Sequence, residues 1–318
     1  MEFKEKKKTR EGFGRALEEL GEKNPNVVVL VGDLAESTMV HFFAKKFPER
    51  FFQMGVAEQN MTNVAAGLSL TGKIPFFSTY GAFAACRNLD HVRVTICYSN
   101  LNVKIGGAHG GISVGPDGAT HQAMEEFAIM RSLPNMKLIV PCDFWEAKKA
   151  TLKSAEIWGP FYIRFGREDV PVVTDESRPF IFGKADIHRE GKDLSIIACG
   201  VMVAEALSAA EMLESQGISA RVLNMHTLKP IDKEAIVKAA QETGAIVTAE
   251  EHQIHGGLGS TVAQVVAENH PVPMEYVAVM DRFGMSGKPE ELMKEFGIKD
   301  VNIVEKALKV LKRKKSGC

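Results

Sequence analysis

The sequence predicts an α/β fold in two domains, each built on a parallel or mixed sheet with helices packed against it. Short apolar runs alternate with helical segments along the chain, which is the pattern of strands joined by helical crossovers. A stretch of prolines and charges at 167–180 interrupts this alternation. We therefore expect a first domain at 1–170, a linker at 171–182 and a second domain at 183–318.

The first domain is predicted to contain three helices and six strands. Apolar runs such as VVVLV have the composition of buried strands, whereas the segment from residue 58 has the length of a helix. The predicted helices cover 11–23, 58–70 and 121–133, and the predicted strands cover 26–34, 51–56, 73–80, 101–107, 137–143 and 155–166.

The second domain is predicted to repeat the same alternation, with glycines closing two of its helices. GGLGS at 256–260 has neither of the common nucleotide-loop spacings, so we interpret it as the start of a helix. The predicted strands begin at residues 193, 219 and 245, and the predicted helices cover 203–217, 232–244 and 260–269.

Composition and charge exclude several classes of protein. A formal net charge of −1 over 318 residues gives no electrostatic case for nucleic acid or an anionic membrane as a partner. No apolar run approaches the roughly 20 residues of a membrane span, and the first residues lack the apolar core of a signal peptide. The five cysteines are scattered without any CxxC pair, which favours a reducing, cytoplasmic compartment.

The stretch KIGGAHGGISVGPDGATHQ (104–122) is the strongest sign of a functional site. It carries six glycines, and its polar groups include His109, Asp117 and His121. Such a density of glycine is expected where the backbone turns tightly or approaches a ligand closely. Long loops of this kind are usually functional, although a structural loop with surface histidines remains the alternative. The spacing of the three side chains would allow a metal, but no fourth ligand is visible and we predict no metal site.

Glu58 lies where a predicted strand gives way to a helix, at the edge where open parallel sheets bind ligands. The alternative is a first-turn glutamate that is favoured by the helix dipole. Small residues in the helix that follows, Ala65, Ala66 and Gly67, would permit close packing by another element.

Further candidates lie at the ends of other elements. Arg10 and Arg167 flank a helix and a strand, and together with Ser37 they would suit a phosphorylated substrate. Tyr80 and Phe83 follow an aromatic strand, where a ring can stack on a planar cofactor as well as pack in the core.

Taken in order, the motifs of this chain resemble the carboxyl-terminal half of transketolases. The resemblance covers nearly the whole chain from about residue 9, with the motifs in family order and spacing. The matching segments are NVVVLVGDLAES, FFQMGVAEQNM, FFSTYGAF, GGAHGGISVGPDGATHQ, FYIRFGR, EEHQIHGGLGS and DRFGMSGKPEELMKEFGI.

The resemblance implies a thiamine diphosphate pyrimidine-binding domain followed by a transketolase C-terminal domain. Glu58 matches the glutamate that hydrogen-bonds the aminopyrimidine ring and controls its tautomer, while Tyr80 and Phe83 match the aromatic wall around that ring. The cofactor supplies the bond-making chemistry and the protein supplies position. Cys86 departs from the family pattern, since some members carry a tyrosine near this position.

The resemblance also assigns the substrate contacts. Arg10, Ser37 and Arg167 match residues that bind the substrate phosphate. His109 and His121 match active-site histidines that contact sugar hydroxyls, and the aspartate that matches residue 117 is associated with the hydroxyl configuration at C2 of the sugar.

A GDG motif, which in transketolases marks the magnesium and diphosphate domain, does not occur in this sequence. The resemblance therefore implies the second subunit of a split transketolase of the pentose phosphate pathway, acting on sugar phosphates and self-associating as a dimer. Mg²⁺ (or Ca²⁺) would be held by a separate N-terminal subunit. Two alternatives stay open: a deoxyxylulose-phosphate synthase-like or 2-oxoacid dehydrogenase beta-like subunit, and a non-catalytic interaction protein that retains the fold.

Overall fold

The computed structural model describes residues 3–316, and its first large sheet has seven strands. These are β2 (Val27–Val31), β3 (Phe51–Gln53), β4 (Ile74–Tyr80), β5 (Lys104–Ala108), β6 (Lys137–Ile139), β7 (Phe161–Arg164) and β12 (Thr227–Lys229). They lie in the order β12-β6-β7-β5-β4-β2-β3, and all neighbours are parallel except β12, which is antiparallel to β6. Since β2 lies between β3 and β4, the strand order reverses there, and ligands bind at the carboxyl ends beside such a reversal.

Helices cover both faces of this sheet. The helices are α1 (Thr9–Lys23), α2 (His41–Lys46), α3 (Glu58–Leu70), α5 (Glu126–Ser132) and α6 (Phe144–Glu156). Alternate residues of β2 point to opposite faces of the sheet. Val27, Val29 and Val31 pack against α1 and α2, whereas Val28 and Leu30 pack against α3 and α5. This period of two is the one that a strand imposes. Each fully buried valine or leucine contributes about 1.5–3 kcal/mol.

An irregular helical segment connects β4 to β5. A short helix α4 (Leu89–His91) lies between two stretches of wide π-type turns, Phe83–Arg87 and Val92–Tyr98. Wide turns of this kind are frequent at functional sites because they redirect side chains within a helix. The first stretch begins immediately beyond the carboxyl end of β4.

The second large sheet has five strands with helices on both faces. Its elements are β9 (Asp186–Arg189), β10 (Leu194–Ala198), β11 (Ala220–Asn224), β13 (Ile246–Gln253) and β14 (Met274–Val279), with α7 (Met202–Glu214), α8 (Lys233–Thr243), α9 (Leu258–Asn269), α10 (Pro289–Glu295) and α11 (Asp300–Lys315). The order is β14-β13-β10-β11-β9, parallel except for β9. Two α/β units with parallel or mixed sheets confirm the predicted fold class.

The two units are joined by more than a linker. Strand β12, which follows β11 of the second sheet, completes the edge of the first sheet. A third, two-stranded sheet pairs β1 (Lys6–Lys8) with β8 (Asp169–Pro171) across the predicted boundary at residue 170. The side chain of Asp143 accepts hydrogen bonds from the backbone N–H groups of Val173 and Thr174, so the segment after β8 is held against the first domain.

Several predicted element boundaries are wrong. The helix predicted at 121–133 begins only at Glu126, because the preceding residues form the end of the glycine-rich loop. The strand predicted at 137–143 ends at Ile139, ahead of Pro141, which lacks the N–H that a ladder needs. The strand predicted at 155–166 is two elements, the end of α6 and β7, separated by Gly159 with φ of 104°. The predicted start of a helix at 256–260 is confirmed by α9.

No helix within residues 3–316 combines the length and the apolar character that crossing a membrane requires.

Candidate functional site

Residues from four element ends meet beside the reversal of strand order in the first sheet. Ser37 follows β2, Tyr80 ends β4, His109 follows β5, and Arg10 lies in the first turn of α1. Carboxyl ends of parallel strands share one edge of a sheet, so neighbouring strands bring side chains together that are far apart in sequence. The structure therefore gathers four of the predicted site residues into one cluster.

Arg10 is the centre of this cluster. Its Nη1 donates to the backbone oxygen of Ser37 at 2.6 Å and lies 3.3 Å from Nε2 of His109. The hydroxyl of Tyr80 lies 3.3 Å from Oγ of Ser37, and the Tyr80 ring stacks on the His109 ring with centroids 4.5 Å apart. Each side chain is thus held by at least one other member, which fixes its direction.

His109 is buried and neutral in this position. Burial, together with the nearby guanidinium groups of Arg10 and Arg167, lowers the pKa of its imidazole to about 3. Arginine can only donate, so Nε2 of the neutral ring accepts from Arg10. Nδ1 is buried and has no hydrogen-bond partner among the described residues. His109 therefore presents one engaged and one unengaged nitrogen at this cluster.

The cationic side of the site comes from two arginines that influence each other. Burial lowers the pKa of Arg10, and the charge of Arg167 lowers it further. Arg167 Nη1 pairs with Oδ1 of Asp117 at 2.9 Å and also donates to the backbone oxygen of Val114. Two guanidinium groups that repel each other would both be stabilised by an anion between them.

Half-buried aromatic rings border the cluster. The rings of Tyr80 and Phe83 have centroids 6.0 Å apart. The His121 ring meets them edge-on, at 5.7 Å from Tyr80 and 5.4 Å from Phe83. His121 Nδ1 shares a hydrogen bond of 2.9 Å with the hydroxyl of Thr120. The result is an aromatic wall with polar atoms at its rim.

Glu58 reaches the same region from the first turn of α3. Its side chain is 2% exposed, and Oε2 accepts from Nη1 of Arg87 at 3.0 Å. The Arg87 guanidinium in turn lies over the Phe83 ring, 4.2 Å from the centroid. Glu58 is therefore linked to the aromatic wall through Arg87, a residue that the sequence did not single out.

The glycines of the loop make room for buried side chains of this chain itself. A Cβ at Gly107 would lie 2.1 Å from the Tyr162 hydroxyl, and one at Gly110 would lie 2.6 Å from Nε of Arg164. A Cβ at Gly111 would lie 2.1 Å from Nη2 of Arg164. At these three positions, buried protein groups rather than a ligand occupy the space that a Cβ would take.

Sequence reasoning missed the charged network beneath the loop. Arg164 is 2% exposed; it donates from Nη2 to Oε2 of Glu251 at 2.6 Å, and its Nε lies 3.5 Å from Oε1 of Glu126. A signal was present, since FYIRF and VTAEEH each place charges in runs that otherwise suit buried strands. A buried charge at such a position needs a partner of opposite charge. Here Arg164 of one strand and Glu251 of the other are each other's partner.

Glu126→Gln is expected to change how stability depends on pH. Complete burial raises the pKa of Glu126 to about 8 from an ordinary value of 4.5. Between these values the folded chain keeps a proton that the unfolded chain has released, so the free energy of unfolding decreases as pH rises through the window. Glutamine cannot titrate, so the variant lacks this loss of stability. The difference between the melting temperatures of Glu126→Gln and wild type should therefore increase from about pH 5 to pH 8, in favour of the variant.

Thermal unfolding at several pH values measures this directly, with the exposed Glu156→Gln as the control. Parallel pH profiles for wild type and Glu126→Gln would contradict the raised pKa.

Within residues 3–316, no three His, Cys, Asp or Glu side chains are grouped so that they could hold a metal ion. His109, Asp117 and His121, which share one loop, each contact a different partner: Arg10, Arg167 and Thr120.

Known families match both domains. The model of the transketolase pyrimidine-binding domain matches residues 5–173, and that of the transketolase C-terminal domain matches residues 183–303. Both matches, in this order, define a thiamine-dependent fold of the transketolase type; such enzymes generally use thiamine diphosphate and a divalent metal.

Individual relatives agree with these matches. A "Putative transketolase C-terminal section" of Methanocaldococcus jannaschii is 46% identical over 96% of each chain, and a "6-deoxy-6-sulfo-D-fructose transketolase subunit SqwH" of Clostridium sp. is 43% identical over 96% of this chain and 95% of its own. A solved "Split gene transketolase, inactive beta4 tetramer" is 51% identical with a TM-score of 0.91, covering 96% of this chain and 99% of the other. The chain belongs to the transketolase family.

Proposed function

We propose that this chain is the C-terminal subunit of a split transketolase. Together with an N-terminal subunit it transfers a two-carbon ketol unit from a ketose phosphate to an aldose phosphate. The observation that carries the proposal is the cluster of Arg10, Ser37, Tyr80 and His109 at the carboxyl ends of the first sheet, with a second guanidinium close enough to lower the pKa of Arg10. Such a cluster suits a sugar that carries an anionic group.

The phosphate is assigned to the arginines. Arg10 and Arg167 would each donate to phosphate oxygens, and the Ser37 hydroxyl beside them would add a neutral donor. Arginine suits this role because its planar fork matches the geometry of a phosphate. The surface pair between Arg167 and Asp117 is a third exposed on both sides and so is weak enough to rearrange when an anion binds.

The surroundings of Glu58 fit an aminopyrimidine ring. Its buried carboxyl group can share a proton with a ring nitrogen, and the half-buried rings of Tyr80 and Phe83 offer flat apolar contact beside it. When bound, thiamine diphosphate supplies the carbanion chemistry next to the ketose carbonyl. Glu58 would share a proton with the pyrimidine ring and so select its tautomer, and the wall would orient the ring.

The remaining side chains are assigned to the sugar. His109, neutral at physiological pH because of burial and the neighbouring arginines, would bind a substrate hydroxyl. His121 at the rim of the aromatic wall would bind or exchange a proton with a second hydroxyl. Asp117 would contact the hydroxyl at C2 of the sugar.

The partner chain is assigned the other half of the site. It would contribute the Mg²⁺ (or Ca²⁺) and the diphosphate contacts. The description of the 51% identical relative as a split-gene transketolase in an inactive beta4 tetramer supports an assembly in which this type of chain needs another for activity.

Self-association is assigned to the face of α3 and the segment that follows α4. Ala65 and Ala66 allow close packing by other elements of the chain's own core, so they are not available for packing by a second copy. Leu70, Val94 and Tyr98 are the better support, because they are 75%, 45% and 87% exposed on adjacent elements. We expect a dimer of this chain that binds two partner subunits through interfaces larger than about 1,600 Å².

A cytoplasmic location is part of the proposal. Cys97, Cys142 and Cys199 are free and buried, and Cys86 is free and exposed, which suits a reducing compartment. Cys318 lies outside the described residues.

The test is an assay of ketol transfer by this chain, by an N-terminal transketolase subunit of the same genome, and by their mixture with thiamine diphosphate and Mg²⁺. Transfer between a ketose phosphate and an aldose phosphate should appear only in the mixture. Substantial ketol transfer by this chain alone would contradict the proposal that it needs an N-terminal subunit. Release of CO₂ from pyruvate by the mixture would instead support the synthase or dehydrogenase alternative, and a mixture without turnover would favour the non-catalytic one.

A further inference from the structure

We propose that the second domain positions the glycine-rich loop of the active site. Glu251 of the second domain, and Gln122 of the loop through its contact with that domain, act as the positioning residues. The loop carries His109, Asp117 and His121, so the proposal rests on the proposed function and extends it. It assigns a catalytic purpose to a domain that contributes none of the candidate substrate contacts.

Glu251 ties the loop to the second sheet. It lies in β13, is 1% exposed and uses both carboxylate oxygens across the domain boundary. Oε1 accepts from the backbone N–H of Ser113 at 2.6 Å, and Oε2 accepts from Nη2 of Arg164 at 2.6 Å. One side chain of the second domain thus fixes a loop peptide and a guanidinium of the first domain together.

The charges around Arg164 balance only with Glu251 in place. One buried guanidinium faces two buried carboxyl groups, and the raised pKa of Glu126 keeps that group protonated at neutral pH. Glu251, 2.6 Å from Nη2 of Arg164 against 3.5 Å from Nε to Glu126, is therefore the main anionic partner, and the second domain provides it. Removing one partner from a buried ion pair is strongly destabilising because the other charge remains uncompensated.

Gln122 makes the second tie. Its side chain is 2% exposed, and Nε2 donates to the backbone oxygens of Ile112 and Met285 at 3.1 and 2.9 Å, with a third contact to that of Gly115. Met285 belongs to the second domain, so the amide links the middle and the end of the loop to the segment before α10. Gly284 packs so closely that a Cβ there would lie 1.8 Å from Oε1 of Gln122.

These ties stabilise an unfavourable backbone next to the substrate contacts. His109 has φ of 54°, a left-handed conformation that is unfavourable for a residue with a side chain. Such a conformation persists only where its surroundings determine it. Gly110 and Gly111, the next two residues, lie against Arg164, and the Gly111 N–H donates to the backbone oxygen of Ala123 at 2.7 Å. The network beneath the loop is what holds His109 towards Arg10.

The experiment uses the reconstituted two-chain enzyme with Glu251→Ala, Glu251→Gln and, as matched control, Glu275→Gln. Glu275 is a carboxylate of the same domain that pairs with Lys309 and Arg313. Glu251→Gln keeps an acceptor for Ser113 and so should be milder than Glu251→Ala. The readouts are KM for the sugar phosphate, the concentration of thiamine diphosphate that gives half activity, and hydrogen exchange in peptides covering 109–122.

Glu251→Ala is expected to raise KM for the sugar phosphate roughly 10- to 100-fold, while the half-activating concentration of thiamine diphosphate changes less than about threefold. The 109–122 peptides should exchange faster in Glu251→Ala than in the control. Equal losses for sugar and cofactor, or unchanged KM with unchanged exchange, would overturn the proposal. An inactive wild-type mixture would refute the proposed function. Hydrogen exchange needs no turnover, so exchange in this chain alone would still test whether Glu251 anchors the loop.

Discussion

Glu58→Gln in the reconstituted enzyme is expected to lower kcat by about 10²–10⁴-fold, the usual contribution of a positioned proton-transfer group. The amide keeps the size of the side chain but cannot share a proton with the pyrimidine ring in the same way. Steady-state kinetics at saturating cofactor measure the effect. Burial of Glu58 at 2% exposure leaves little solvent to substitute for the lost proton.

The control for this variant is Glu234→Gln. Glu234 also lies in the first turn of a helix, α8, but its side chain is 86% exposed and remote from the cluster around Arg10. It should leave turnover unchanged. If the kcat of Glu58→Gln stays within twofold of the wild-type value, Glu58 is only a first-turn glutamate that the helix dipole favours.

Arg10→Ala and Arg167→Ala are each expected to raise KM for sugar phosphates roughly 10- to 100-fold, because charged hydrogen bonds are worth about 1.5–3 kcal/mol. The effect on a non-phosphorylated donor should be smaller, since that substrate lacks the group that the arginines bind. Comparing the two donors for each variant gives the measurement.

Arg15→Ala is the matched control, because Arg15 lies on the same helix as Arg10 and pairs at the surface with Glu18. Its KM values should match those of wild type for both donors. Equal losses for phosphorylated and non-phosphorylated donors in the Arg10 and Arg167 variants would assign those residues a structural role.

Local patterns were enough to predict the fold class and to place several site residues at the ends of elements. The buried strand β2 and the position of Glu58 at the start of α3 follow from neighbouring residues alone. Ser37, Tyr80 and His109 could be expected near one another because parallel strands share a carboxyl edge. The strand order that brings them together came only from the structure.

Long-range partnerships could not be predicted in this way. Arg164 and Glu251 are 87 residues apart, and nothing local to either residue specifies the other. The π-type turns that bring Arg87 to Glu58 depend on packing against α3 and β4, and the crossing of β12 into the first sheet depends on both domains being folded. These contacts hold the site residues in place, and they could not be predicted from local sequence patterns.

The central claim is that this chain holds half of an active site that a second chain completes, in an assembly with two copies of each chain. Size-exclusion chromatography with light scattering, with ketol transfer assayed in every fraction of the mixture, tests it most directly. Activity is expected only in the fractions whose mass corresponds to two copies of each chain. Activity in fractions that contain this chain alone, or in an active one-to-one heterodimer, would contradict the account.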